Sequence, residues 1–115
     1  MTIQYFGSDK SSSAAVIHEG AVYLPAITAD VLSPTVAEQT QQILDQIDRM
    51  LKECGTTKYK MLTATILCPD ARAIDEVHTR WDAWVPWHDP PACTFLVVKL
   101  PVREAKVAIQ VVAGL

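Results

Sequence analysis

The chain has 115 residues, enough for one domain with one hydrophobic core, and this predicts a single domain over residues 1–115. Half of the residues are hydrophobic and a fifth are charged, a composition that excludes an intrinsically disordered chain. The net charge is −3 and no run of Lys or Arg occurs, which argues against a nucleic-acid-binding surface.

Targeting and metal motifs are missing from the sequence. No stretch approaches the roughly 20 apolar residues that a membrane span needs, and residues 1–10 lack the pattern of a secretory signal. Three cysteines without C-x-x-C spacing favour free thiols in a reducing cytoplasm. No His, Cys or Asp pair has the spacing of a known metal motif, so we expect no metal, no cofactor and no membrane contact.

Three short apolar runs near the N-terminus predict strands at residues 3–6, 14–18 and 21–27. Glu19 and Gly20 separate the last two runs, a pattern typical of a β-hairpin. Pro25 has no N–H to donate, so the third strand is expected to be bulged or at an edge near that residue.

A long amphipathic helix follows these strands. Ser33 and Pro34 predict its start, with serine as N-cap and proline as the first helical residue. Hydrophobic residues then recur at steps of three and four until Gly55, which predicts the end of the helix.

The second half of the chain predicts a strand at 58–68, a helix at 71–85, and strands at 92–100 and 106–113. Asp70 is the expected cap of the helix. Residues 101–104 join the last two strands, and their length suits a hairpin loop.

The order of elements predicts an α+β fold in which two helices cover one face of a mixed six-stranded sheet. The strands are apolar on both faces, so the second face needs a partner. Val97, Thr63 and Val112 are candidates for that uncovered face. Since exposed apolar area of this size marks an interface, we expect a homo-oligomer whose sheets pack together.

A rigid corner separates the second helix from the strand that follows it. All three tryptophans lie between Trp81 and Trp87. Pro86 stops the helix, and Pro90-Pro91 holds an extended entry into the next strand. Such a corner is a favourable place to hold a ligand group.

The sequence resembles the RidA family, also called YjgF/YER057c/UK114. The matching segments are Ala14-Val16, His18-Gly20, Val22-Leu24, Gln39-Leu44, Ile47-Asp48, Leu62-Ile66, Trp81-Val85 and Pro90-Ala92. The resemblance implies a chorismate-mutase-like fold and a homotrimer, in which three sheets form a central barrel with small-molecule clefts between subunits. It also implies hydrolysis of reactive enamines and imines to 2-oxo acids and ammonia.

The residues that the family uses for this chemistry are changed here. The family's arginine, which pairs with the substrate carboxylate, matches Cys93, and its glutamate four residues later matches Val97. The family's Ser-Gly-Gln matches Pro25-Ala26-Ile27, and its tyrosine has no counterpart among residues 11–15. Because a buried carboxylate must be paired, the missing arginine argues against the standard deaminase activity.

Cys93 allows two interpretations. It is either a small buried hydrophobic residue at a strand start or a cleft-facing thiolate that His88 activates. Trp87, which follows the helix-stopping proline, is a candidate for contact with a ligand or a neighbouring subunit. We therefore take Ala26, Ile27, Trp87, His88, Cys93 and Val97 as candidate ligand-binding residues, with Cys93 also the candidate catalytic residue.

Three functions remain open. The first is a trimer that binds a small, mostly apolar or uncharged metabolite without catalysis. The second is an imine or enamine deaminase (2-iminobutanoate/2-iminopropanoate type) with a relocated cation, or a hydrolase that uses Cys93. Arg103 and Lys106 have the pattern of solvated loop charges; either could supply a substitute cation in the trimer, although their spacing does not favour it. The third is a ribonuclease, against which the acidic balance argues most strongly.

Overall fold

The computed structural model describes residues 2–32 and 34–115, which form one six-stranded mixed sheet and two α-helices. The strands are β1 (Gln4–Phe6), β2 (Ala15–His18), β3 (Ala21–Tyr23), β4 (Met61–Cys68), β5 (Ala92–Val97) and β6 (Ala108–Gly114). The helices are α1 (Val36–Glu53) and α2 (Ile74–Trp84), and single 3-10 turns lie at Lys58–Lys60 and Ala71–Ala73. The spatial order is β1-β2-β3-β6-β4-β5, with β4 and β5 parallel and all other neighbours antiparallel.

The predicted hairpin is confirmed. β2 and β3 pair antiparallel with His18 opposite Ala21, which leaves a two-residue loop. Glu19 and Gly20 have φ values of 50° and 80°, and two consecutive positive φ angles define the turn type that matches the twist of a hairpin. Glycine adopts this conformation without strain, whereas Glu19 does so at some cost.

The predicted irregularity at Pro25 is also confirmed. The Leu24 N–H donates to Val111 O at 3.0 Å, and the Ile27 N–H donates to Ile109 O at 2.9 Å. Three residue steps along this segment, from Leu24 to Ile27, therefore lie opposite two steps along β6, from Val111 to Ile109. The extra residue bulges out at Pro25, where the chain has no N–H to lose.

The start of α1 differs from the prediction. Ser33, the predicted N-cap, lies outside the described residues, and Pro34 precedes the helix. The cap is Thr35, whose side-chain oxygen accepts a 3.2 Å hydrogen bond from the Glu38 N–H, and the helix begins at Val36. The threonine hydroxyl satisfies one of the free N–H groups of the first turn, the role that the sequence assigned to serine.

The predicted hairpin between the last two strands is wrong. β5 lies at the edge of the sheet beside β4, and β6 lies on the other side of β4. The reason is the crossover helix α2, which returns the chain parallel to β4 and so places β5 next to it. Residues 98–107 then carry the chain across the sheet, a longer connection than the predicted four-residue loop.

The core lies between the sheet and the helices. Its fully buried members include Ala64, Ile66, Ile109 and Val111 on the strands and Ile43, Leu44, Ile47 and Val77 on the helices. The predicted strand at 58–68 begins only at Met61, and a shift of register between Met61 and Thr63 turns Met61 into the core. Leu62, which the alternation places with the core residues, is instead 53% exposed.

The opposite face of the sheet has no covering element in the described chain. Thr63 and Val112 are partners across β4 and β6 and lie on this face, as predicted. Tyr23 and Leu96 lie there as well, and they are 43% and 47% exposed. Val97 does not, because its register partner is the buried Cys68 on the helix side.

No helix in the described part of the chain is both long and apolar enough to cross a membrane.

Candidate functional site

A groove of about 370 Å³ lies where α2 ends, between the rigid corner and the turn that precedes β4. It is lined by Lys58, Tyr59, Ala83, Trp84, Val85, Pro86, Trp87, His88 and Asp89. Two segments far apart in sequence therefore build this groove.

The corner is shaped by its prolines and by the last hydrogen bond of α2. The Val85 N–H donates to Trp81 O at 2.8 Å, and Val85 itself is extended, as expected of a residue before proline. Pro86 is buried. The next side chain, Trp87, is turned outward and is 79% exposed, and its ring lies 3.7 Å from that of His88 between centroids.

Lys58 forms the opposite wall of the groove. Its ammonium donates to Trp84 O at 2.7 Å, which caps a free carbonyl at the end of α2. The same ammonium lies 5.0 Å from the Trp84 ring centroid and 5.9 Å from that of Tyr59. A carbonyl and two aromatic rings thus hold this cation in place.

Trp81 and Trp84 are packing residues. They are 4% and 8% exposed, and their ring centroids are 5.4 Å apart with a tilt of 46°. The Trp84 indole N–H donates to Asp48 Oδ2 at 2.9 Å, which joins α2 to α1. This bond fixes the indole that stands beside Lys58.

Cys93 lies at the second position of the edge strand β5. Its register partner is Ala64, so its side chain points to the helix side of the sheet, whereas Ala92 and Thr94 point to the uncovered face. The residue is exposed, yet partial burial of the thiol raises its pKa. The thiol makes no hydrogen bond to His88 in the described residues. These features give a neutral thiol, without the lowered pKa that an activated nucleophile requires.

Ala26 and Ile27 occupy the bulge beside β6. Ile27 is 7% exposed, and both its N–H and its carbonyl are bonded to Ile109. In this conformation Ile27 has no free backbone group for a ligand. Ala26 is exposed at the bulge.

The six candidate residues do not converge within the single chain. Of these six residues, Trp87 and His88 line the groove described above, and the other four lie elsewhere. Cys93 and Val97 are four residues apart on β5, roughly 13 Å at the rise of an extended strand. Ala26 and Ile27 lie beside β6, three strands away from the edge that β5 forms.

The structure adds Lys58, which the sequence did not indicate. No local pattern marks this residue, because its partner Trp84 is 26 residues away. Arg103 and Lys106, the two charges considered from the sequence, line a second depression of about 410 Å³ with Leu32, Pro34, Glu104 and Ala105. Within the described ranges, no group of three His, Cys, Asp or Glu side chains could hold a metal ion.

Comparison with known proteins identifies the family. The model of the family described as Endoribonuclease L-PSP matches residues 8–115. The chain belongs to this family. The resemblance drawn from the sequence motifs is thereby confirmed.

Relatives of this L-PSP family protein match it over nearly its whole length. NMB1025 from Neisseria meningitidis, a member of the YjgF protein family, is 37% identical in sequence to this chain. Its crystal structure matches with a TM-score of 0.95, and the match covers 99% of this chain and 95% of the NMB1025 chain. The RutC family protein YoaB of Escherichia coli K12 is 34% identical over 115 residues, with 99% of each chain covered. The chloroplastic Reactive Intermediate Deaminase A of Arabidopsis thaliana is 28% identical over 100 residues, which are 87% of this chain and 53% of the plant protein. The described chain therefore has the fold of its YjgF-family relative over nearly its whole length.

Proposed function

We propose that this protein is a homotrimer that binds a small, mostly apolar or uncharged metabolite in the clefts between subunits, without the standard imine deaminase activity. The proposal places it in the cytoplasm, where its three cysteines stay free thiols.

The observation that carries the proposal is the composition of β5. The resemblance to RidA implies an arginine near the start of this strand, which would pair with the substrate carboxylate. β5 contains no basic residue on either face: Ala92, Thr94 and Leu96 lie on one side and Cys93, Phe95 and Val97 on the other. The lack of a cation therefore does not depend on which of Ala92 and Cys93 matches the arginine.

The energetic consequence is large enough to decide between substrates. A hydrogen-bonded contact to a charged group contributes about 1.5–3 kcal/mol, and a carboxylate buried without such a contact costs more. An uncharged ligand avoids this cost. The pKa of Cys93 is raised by burial, so the thiol does not offer a negative nucleophile in place of the missing groups.

The uncovered sheet face favours an assembly. Tyr23 and Leu96 are exposed on it, and Thr63 and Val112 lie between them on the central strands. Packing this face against other copies would bury apolar area that otherwise faces water. Three copies follow from the resemblance to RidA.

Two measurements test the proposal. Sedimentation equilibrium should give three times the chain mass of 12.7 kDa. A threonine dehydratase coupled to ammonia detection should show no acceleration by this protein above a buffer control. A monomer in solution would contradict a binding cleft between subunits. Accelerated ammonia release would contradict the proposed loss of deaminase activity.

The second candidate is a deaminase with a relocated cation, or a hydrolase that uses Cys93. It is favoured by the depression that Arg103 and Lys106 line and by the name of the plant relative. If the coupled assay does show acceleration, the variants Arg103→Met, Lys106→Met and Cys93→Ala identify the group responsible. Loss of activity in Cys93→Ala alone indicates the thiol, and loss in either cation variant indicates a relocated carboxylate site.

The family's description as an endoribonuclease raises a nucleic-acid function. The net charge of −3 and the scattered cations do not favour it, because phosphate contacts need several Lys or Arg side chains on one surface.

A further inference from the structure

The groove at the end of α2 combines a held cation with an open aromatic face. Lys58 is half-buried, and its ammonium has three neighbours: Trp84 O, the Trp84 ring and the Tyr59 ring. Among the described residues, no carboxylate comes within ion-pair distance of Lys58. The cation therefore keeps N–H donors for an external anion, and its position is set before any ligand arrives.

Trp87 supplies the aromatic face. One side of its indole is covered by His88 at 3.7 Å between centroids, while 79% of the residue is open to solvent. An indole that packs on a neighbouring ring with one face and leaves the other face open offers a stacking surface for a ligand ring. Pro86 and the extended Val85 hold the backbone on its N-terminal side.

Charge distinguishes between possible occupants. Asp89 also lines the groove, but it is exposed and solvated, so its repulsion of an anion is screened. The Lys58 ammonium is partly desolvated against two rings, and its attraction for an anion is stronger in that setting. The groove volume of about 370 Å³ is in the range of sites for small organic ligands.

We propose that this groove binds a small aromatic carboxylate, whose ring stacks on the free face of Trp87 and whose carboxylate accepts a hydrogen bond from the Lys58 ammonium. All of these groups belong to one chain, so the site needs no residue from a second copy.

The test follows the indole N–H signals of isotope-labelled protein by NMR at neutral pH. Phenylacetate is the probe, phenylacetamide is its neutral counterpart, and phenethylamine is its cationic counterpart. Phenylacetate should shift the Trp87 indole signal saturably, with the Trp81 signal least affected. The amide should bind about tenfold more weakly, because it lacks the charge that Lys58 recognises.

Variants separate the two contacts. Trp87→Ala removes an exposed side chain, so it should fold normally and lose saturable binding. Lys58→Met should lower the phenylacetate affinity about tenfold, whereas the matched control Lys60→Met, which removes an exposed charge from the same turn, should stay within about twofold.

Several outcomes would overturn the proposal. These are an unshifted Trp87 signal, equal binding of phenylacetate and phenylacetamide, a preference for phenethylamine, and equal losses in Lys58→Met and Lys60→Met. Because none of these readouts is ammonia release or subunit mass, they are independent of the test of the proposed function.

Discussion

Gln39 holds the connection between β5 and β6 against α1, and replacing it should destabilise the protein measurably. The side chain is fully buried. Its Oε1 accepts a 2.8 Å hydrogen bond from the Lys106 N–H, and its Nε2 donates to Glu104 O at 3.3 Å. Gln39→Met keeps the length of the side chain and removes both bonds.

The expected loss can be estimated from these two bonds. A buried backbone group left without a partner costs about 1–3 kcal/mol. The Lys106 N–H lies on a part-buried residue and bears most of this cost, whereas the carbonyl of the exposed Glu104 can turn to water. We expect a loss of about 2–3 kcal/mol in the free energy of unfolding. For a chain of this length that is about 8–12 °C in Tm.

The assay is thermal unfolding at one fixed protein concentration, since the Tm would depend on concentration if the chain forms the proposed trimer. Gln41→Met is the matched control on the same helix, because the hydrogen bonds of the Gln41 amide within the described residues go to the exposed Asp45 at 3.0 Å and to Arg80 at 3.5 Å. It should change the stability by less than about 0.5 kcal/mol. Equal Tm values for the two variants would refute the role of Gln39. Amide hydrogen exchange should also be faster at Lys106 in Gln39→Met.

The remaining predictions concern charge and the edge strand. Arg72 lowers the pKa of Asp70 from 3.8 to about 2, so this carboxylate contributes stability above about pH 4 that is lost as the pH falls toward 2. Asp70→Asn should therefore flatten the dependence of Tm on pH in that window, and an unchanged slope would contradict the pairing. Iodoacetamide should alkylate the exposed Cys93 before the buried Cys68. The reaction at Cys93 should be slow at pH 7 and faster as the pH rises past 9, because burial raises the pKa of the Cys93 thiol from 9.0. Rapid alkylation at pH 7 would instead indicate an activated thiolate. Cys93→Arg should gain affinity for small carboxylates by roughly tenfold or more, measured by calorimetry. If Ala92→Arg gains that affinity and Cys93→Arg does not, the cleft opens on the uncovered face, and Ala92 occupies the arginine position.

The two arginine variants place the new cation on opposite faces of the sheet, because side chains of neighbouring β5 residues alternate between the two faces. A shift of one residue in the match to the family moves the cation from one face to the other. The motif alone leaves that choice open, whereas the pairing of Cys93 with Ala64 defines the direction of each side chain.

Local chemistry explains which elements could be predicted from the sequence. The hairpin at Glu19-Gly20, the bulge at Pro25 and the stop of α2 before Pro86 each depend on the φ preference or the N–H count of one or two residues. The family membership could also be predicted, because the motifs that define the resemblance are contiguous segments of the sequence. The cap of α1 is Thr35, two residues after the predicted position, because serine and threonine can both cap a helix and the local pattern does not fix which position the helix starts from.

Only the tertiary structure decided the order of the strands and the groove. β6 pairs with β4 and not with β5, although β5 is the strand that directly precedes β6 in sequence. The reason is that the crossover helix places β5 on the outer side of β4. Lys58 meets Trp84 across 26 residues, and Gln39 meets Lys106 across 67. Such contacts form when packing brings distant segments together, and the free energy that selects them belongs to the whole core and not to any local pattern.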